Sequence, residues 1–360
     1  MEQLTSRERV ARLLRHEEAD RIALFDNFWS STTERWHKEG LPQETSPLDY
    51  FDFDIVQISA DLSLQLPVEV LEENESYTVV RNSYGTTVKT YRHATSTPGW
   101  LDHAVKNAAD FDRLKERMTW NAGRINQEYA RRVYEKARAE GKFIVYAGAI
   151  SWDAVLQIIG AETLLMGMYD DPEWIHEMFE MAKDLYLAGF QAFCDLGFAF
   201  DGAWVYDDMA YNKGPLFSPD CYDEFFAPRD KAVCDYFSQR NLPVILHSCG
   251  FVEPFLERII ASGYSCIQPV EVKAGMDVRE LKEKYGGRIS FMGGIDVRAL
   301  AESETAAEVE IASKITAAKK GGGYIYHSDH SVPDNISFER YRKVLELVLR
   351  YGGYGAGQSQ

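Results

Sequence analysis

From about residue 105 onward, short apolar runs alternate with longer stretches of helical periodicity. The runs are Phe143-Ile144-Val145-Tyr146, Gly202-Ala203-Trp204-Val205-Tyr206, Pro243-Val244-Ile245-Leu246, Cys266-Ile267-Gln268-Pro269, Ile289-Ser290-Phe291-Met292 and Tyr324-Ile325-Tyr326. Between them lie Pro172 to Leu187, Pro219 to Gln239, Val252 to Ser262, Val278 to Tyr285 and Thr305 to Lys320, which predict helices. Strands that alternate with helices build a parallel sheet, because each crossover helix packs back onto the sheet it leaves. With Arg21 to Phe25 and Ile55 to Ile58 the strands number eight, which predicts an α/β fold of the (β/α)8 TIM-type barrel class. A doubly wound open sheet fits less well, since no GxGxxG follows an early strand. Residues 1–350 are expected to form this single domain, opened by a helix from Arg7 to His16 that Thr5 or Ser6 caps.

Period-two alternation appears only in residues 61–105. Tyr77 to Arg81, the turn Asn82-Ser83-Tyr84-Gly85 and Thr86 to Tyr91 predict a β-hairpin insertion that covers one mouth of the domain. Residues 351–360, rich in glycine, read as a flexible tail.

In such a barrel, chemistry sits on the loops that follow the strands' C-terminal ends. Those positions are polar here: Asp26-Asn27-Phe28-Trp29, Asp207-Asp208, His247-Ser248-Cys249, Gln268 with Glu271, Gly293-Gly294 with Asp296, and His327-Ser328-Asp329-His330. A strand-end imidazole and thiol two residues apart suit Zn²⁺, which takes soft nitrogen and sulfur ligands. His247 and Cys249 are therefore candidate metal ligands. His330, His327 and Glu271 compete for a third place, and His330 is preferred because Val332-Pro333 holds its loop. Asp207, Asp208 and Glu271 are the candidate acid–base groups, although adjacent aspartates also serve as helix caps. Asp296 suits a cap on the next helix, and the Gly293-Gly294 pair permits close approach of backbone.

Composition narrows the partners. The 360 residues carry a formal net charge of −17, which disfavours nucleic acid and anionic membranes. No apolar run approaches the roughly 20 residues that span a bilayer. The polar N-terminus is no signal peptide, and five cysteines without paired spacing give no disulfide framework; a reducing cytoplasm is the expected setting. Phe28, Trp29, Trp152 and Tyr206 would give the mouth an aromatic lining.

Taken together, Arg7-Glu8-Arg9-Val10, Asp20-Arg21-Ile22, Phe53-Asp54-Ile55-Val56, Tyr169-Asp170-Asp171-Pro172-Glu173, Asp207-Asp208, Gly214 to Pro219, His247-Ser248-Cys249-Gly250, Gln268-Pro269, Gly275-Met276-Asp277, Gly293-Gly294-Ile295-Asp296 and Gly322-Gly323-Tyr324-Ile325 resemble the uroporphyrinogen decarboxylase superfamily over nearly the whole chain. The resemblance implies a TIM-type barrel. It has two branches. Decarboxylases of the family need no metal and carry an Arg-rich loop after the first strand that holds substrate carboxylates. Here that loop has no arginine before Arg35. The other branch resembles this chain in its H-x-C and comprises zinc-dependent methyltransferases that work with corrinoid (methylcobamide) proteins. Their later cysteine ligand corresponds here to His330. The resemblance thus implies Zn²⁺ on His247, Cys249 and His330, a cobalamin-type corrinoid on a partner protein, and a small methyl donor or acceptor, such as a methoxylated aromatic, a methylamine, methanol or a thiol. Asp26, Asn27, Phe28, Trp29, Trp152, Tyr206, Gln268 and His327 are the expected substrate-binding residues. The alternatives are a tetrapyrrole decarboxylase and a non-catalytic barrel that only binds; an oligomer is compatible with each.

Overall fold

A computed structural model describes residues 3–92 and 97–354. The barrel strands are β1 (Ala23–Leu24), β2 (Ile55–Ile58), β3 (Phe143–Ala149), β4 (Gly202–Tyr206), β5 (Val244–His247), β6 (Cys266–Gln268), β7 (Ser290–Met292) and β8 (Tyr324–Tyr326). Each pairs in parallel with its chain neighbour from β2 to β8, and β8 returns to β1. The strands are near-continuous apolar runs because helices cover the outside and side chains fill the inside. Phe143 to Tyr146, Ala203 to Val205 and Val244 to Leu246 are all buried. Register decides function at the rim: His247 stands opposite Tyr206 on one side and Gln268 on the other, so three strand ends finish level.

The barrel closes differently between β1 and β2. These strands form no ladder; among the described residues, the one backbone hydrogen bond across the seam runs from Asp54 N–H to Leu24 C=O, at 2.8 Å. The Asp54 carboxylate supplies what the ladder lacks. It accepts from Leu24 N–H at 2.7 Å and is gripped by Arg9 (2.7 Å) and Arg21 (2.8 Å). Arg9 also binds Asp20 at 2.6 Å. Burial alone would leave these charges costly, and mutual pairing with full hydrogen bonding is what makes the cluster tolerable. Three of the motif segments noted above, around Arg9, Asp20-Arg21 and Asp54, thus belong to a structural clasp.

Two expectations need correction. The insertion is a four-stranded antiparallel sheet (Glu69–Glu73, Tyr77–Arg81, Thr86–Tyr91, Gly99–His103), and the expected hairpin is its central pair. The outer strands were illegible because they are exposed and carry no buried face to impose alternation. The tail is packed through Tyr354: the last helix, Phe338–Gly352, buries Tyr341, Val344 and Val348, and Tyr354 N–H donates to Asp20 C=O at 3.1 Å. Residues 355–360 lie outside the described residues.

Candidate metal and active site

At the level rim of β4, β5 and β6, Asp208, His247 and Cys249 bring one ligand atom each within 4.8 Å of one another. His247 Nε2 stands 3.6 Å from Cys249 Sγ and 3.4 Å from Asp208 Oδ1. Zinc bonds of about 2.0–2.3 Å at tetrahedral angles separate neighbouring donors by roughly 3.3–3.7 Å. One nitrogen, one sulfur and one carboxylate oxygen at these spacings fit Zn²⁺. The backbone turn that presents Cys249 needs Gly250, which has φ +85°; a Cβ there would lie 2.5 Å from the Ala210 carbonyl carbon. Asp208 braces the same turn by accepting Cys249 N–H at 2.7 Å.

The tautomer of His247 follows from its neighbours. Its Nδ1 meets the side-chain oxygen of Gln268, an atom that can only accept, so Nδ1 carries the proton and Nε2 presents its lone pair to the cluster. The Gln268 amide nitrogen, a donor only, bonds His327 Nε2 at 3.0 Å, and His327 Nδ1 donates to Ser328 C=O. Asn27 Nδ2 also reaches His327 Nε2, at 3.3 Å. Burial holds His327 below the ordinary histidine range, in keeping with a neutral ring.

Carboxylates crowd one flank. Burial, then the Asp208 carboxylate, pushes Asp153 up to about 8. Burial and then Asp153 also push Asp207 well up. Cys249 is raised well above the ordinary thiol range by burial and by Asp208, Glu271 and Asp153, with Lys273 opposing weakly. Only a cation among these acids would favour the thiolate. Glu271 accepts Gly250 N–H at 2.6 Å and pairs with Lys273 at 3.1 Å.

The expected site residues divide into two groups. Asp208, His247, Cys249, Gln268, Glu271 and Tyr206 meet at the rim; the Tyr206 ring lies 5.1 Å from that of His247, and its hydroxyl donates to Gln57 Oε1 at 2.9 Å. His330 is outside the three-donor group, and its ring stacks on Trp29 at 5.8 Å. Asp208, two residues beyond the end of β4, is the third donor of the group. Asp207 is buried and accepts Asp153 N–H at 2.9 Å. Asp26 is wholly buried and accepts from Tyr341 (2.6 Å) and Ser328 (2.7 Å). Phe28 packs against Trp36, Phe53 and Tyr341, and Trp152 is buried against Phe217. His327 is buried and meets the rim residues through Gln268 and Asn27. Asp296 caps the helix Val297–Glu302, and at Gly293 (φ +113°) a Cβ would meet Pro269 O at 1.8 Å.

Asp153 and Gln57 escaped the sequence reading. β3 ends at Ala149, one residue beyond the expected end at Gly148, so Ser151-Trp152-Asp153 is the rim segment that follows it. Asp153 is the next residue after Trp152, which the sequence reading had already singled out.

The family model described as uroporphyrinogen decarboxylase (URO-D) matches residues 44–351, and the chain belongs to that family. A uroporphyrinogen decarboxylase of Hydrogenovibrio crunogenus is 22% identical over 192 residues, 51% of each chain; the match thus spans about half the length of that relative. A solved methyltransferase from Methanosarcina mazei superposes over 97% of this chain and 99% of its own, with a TM-score of 0.67 at 15% identity, a likeness of fold.

Proposed function

We propose that this member of the uroporphyrinogen decarboxylase family is a zinc-dependent methyltransferase that moves a methyl group between a small substrate and a corrinoid carried by a partner protein. One observation carries the reading: His247, Cys249 and Asp208 form a nitrogen–sulfur–oxygen cluster whose imidazole is held with its Nε2 lone pair facing the other two donors. His247, Cys249 and Asp208 would hold the ion. A bound Zn²⁺ supplies Lewis acidity, which neutralises charge on a departing ether oxygen or favours a thiolate over a thiol.

The chain's own residues do the rest. Gln268 orients His247. Asp153, whose carboxyl burial and the Asp208 charge push toward its protonated form, would be the proton donor to a leaving oxygen. Tyr206 and Trp29 offer flat apolar walls, and Glu271 fixes the turn that carries Cys249. The corrinoid partner would dock over the rim, where Asp208 and His247 reach solvent.

The charge pattern supports this reading over decarboxylation of a tetrapyrrole. A substrate with many carboxylates needs unpaired guanidinium groups. Arg35, the first arginine after β1, lies in the helix Ser30–Glu39 and is bound to Glu39 and to Asp334 C=O. The test is to load the protein with zinc and incubate it with cob(I)alamin and a methoxylated arene. Formation of methylcobalamin supports the proposal. Conversion of uroporphyrinogen to coproporphyrinogen, without methyl transfer, would replace it by the decarboxylase reading, and failure of both with no metal bound would favour a binding protein.

A further inference from the structure

The seam between β1 and β2 is also a hole in the barrel wall. A cavity of about 560 Å³ there is lined by residues from both sides of the wall. Phe25, Asn27 and Gln57 face the barrel interior: the Phe25 ring lies 5.4 Å from Trp204, Asn27 reaches His327, and Gln57 binds Tyr206. Val56, Tyr129 and Val133 belong to the outer layer, where the helix Gln127–Ala139 covers β2. A complete ladder would separate these groups. With two residues in β1 and one backbone hydrogen bond across the seam, it does not.

The lining specifies a ligand chemistry. Phe25, Phe53, Ile55, Val56 and Val133 make the walls apolar. The cations at the rim are committed: Lys136 to Asp49, Lys142 to Asp52, and Arg132 over the Tyr129 ring. With Glu140 the lining's carboxylates equal its cations, so it offers an anion no net positive charge. The Gln57 amide nitrogen is buried without a hydrogen-bond partner, so a guest with an acceptor oxygen would satisfy it.

We propose that this seam cavity is a binding site for a small uncharged aromatic bearing an ether or similar acceptor oxygen, set into the side wall of the barrel beneath the first rim loop. It gives a small ligand a lodging in the wall that a protein docked over the rim would leave uncovered. The proposal leans on the methyl-transfer reading only for the use such a ligand would have; binding at the seam stands or falls without the metal.

The probe is 4-fluoroanisole, followed by fluorine NMR, with 4-fluorotoluene as the comparator that lacks the oxygen. Wild-type protein should bind 4-fluoroanisole saturably, equally well metal-free and zinc-loaded, and more tightly than 4-fluorotoluene. Val133→Trp, which fills the cavity from the outer layer, should weaken binding at least about tenfold. Gln57→Glu keeps the acceptor for Tyr206 but removes the donor, so it should abolish the preference for the ether; this variant decides the matter if Val133→Trp fails to fold. Absence of saturable binding, or binding that neither variant changes, overturns the proposal. Binding that requires zinc also overturns it, and places the ligand at the rim in support of the methyl-transfer reading. Seam binding in a protein that transfers no methyl group would sink that reading and leave the cavity's role intact.

Discussion

The Gln268 side-chain oxygen takes the Nδ1 proton of His247. That bond decides which nitrogen of a rim histidine is free, and it depends on β5 and β6 ending in register. Replacing Gln268 by Ala should therefore weaken zinc binding about 10–100-fold while far-UV circular dichroism stays unchanged. A chelator competition measures it, and an affinity equal to wild type would remove Gln268 from any orienting role.

The ligand assignment has its own signature. His247→Ala and Cys249→Ala should each reduce zinc from about one per chain to near zero. His330→Ala should keep the metal, because His330 lies outside the three-donor group. Elemental analysis of the purified variants settles it, and loss of zinc in His330→Ala would restore His330 as a ligand.

Zinc should bind with release of a proton from Cys249. Burial and its acidic neighbours hold the thiol protonated near neutral pH, and the ion takes the thiolate. Calorimetric titration at pH 7 in buffers of different ionisation enthalpy gives the proton count, which Cys249→Ser should lower by about one. Affinity should rise with pH; affinity that is flat from about pH 6 to 8 would contradict thiolate ligation.

Asp26 is a structural anchor on its contacts. Its carboxylate is the acceptor for Tyr341 and Ser328, both buried. Asp26→Ala should cost about 3 kcal/mol through the stranded hydroxyls, read as a lower urea midpoint. A stable variant with impaired ligand binding would return Asp26 to the substrate-binding residues.

The clasp at the seam should govern acid stability. Burial raises the Asp20 carboxyl, but the Arg9 guanidinium and Leu4 N–H pull it down further, to about 2. The folded value lies below the unfolded one, so this contribution is present above about pH 4 and is lost as pH falls through about 2. Asp20→Asn should destabilise the protein by about 1 kcal/mol at pH 7, after discounting for partial exposure, and by much less near pH 2. Urea titrations at both values check this; an equal cost at each would show the charge to be irrelevant.

The sequence by itself determined the eight strands and most of the helices, and it pointed to the rim as the candidate site. Those features rest on local periodicity: Gly202 to Tyr206, Ile55 to Ile58 and Tyr324 to Tyr326 form strands with the expected bounds because burial on both faces demands unbroken apolar runs. His247 and Cys249 were legible for a similar reason, since a single residue, Ser248, separates them and one turn carries both.

Only the tertiary structure decided which of the rim's acids and histidines meet. Asp207 and Asp208 are chain neighbours, yet one is buried against Asp153 N–H and the other joins the donor cluster, because successive residues leaving a strand point in different directions. His330 was preferred as a ligand on loop position; the fold stacks its ring on Trp29 and brings Asp208 into the donor group. Gln268 gained its role from being level with His247 across two strands, a register set by packing around the whole barrel. The seam was invisible for the same reason: whether β1 meets β2 depends on how eight strands close, and no single segment encodes closure.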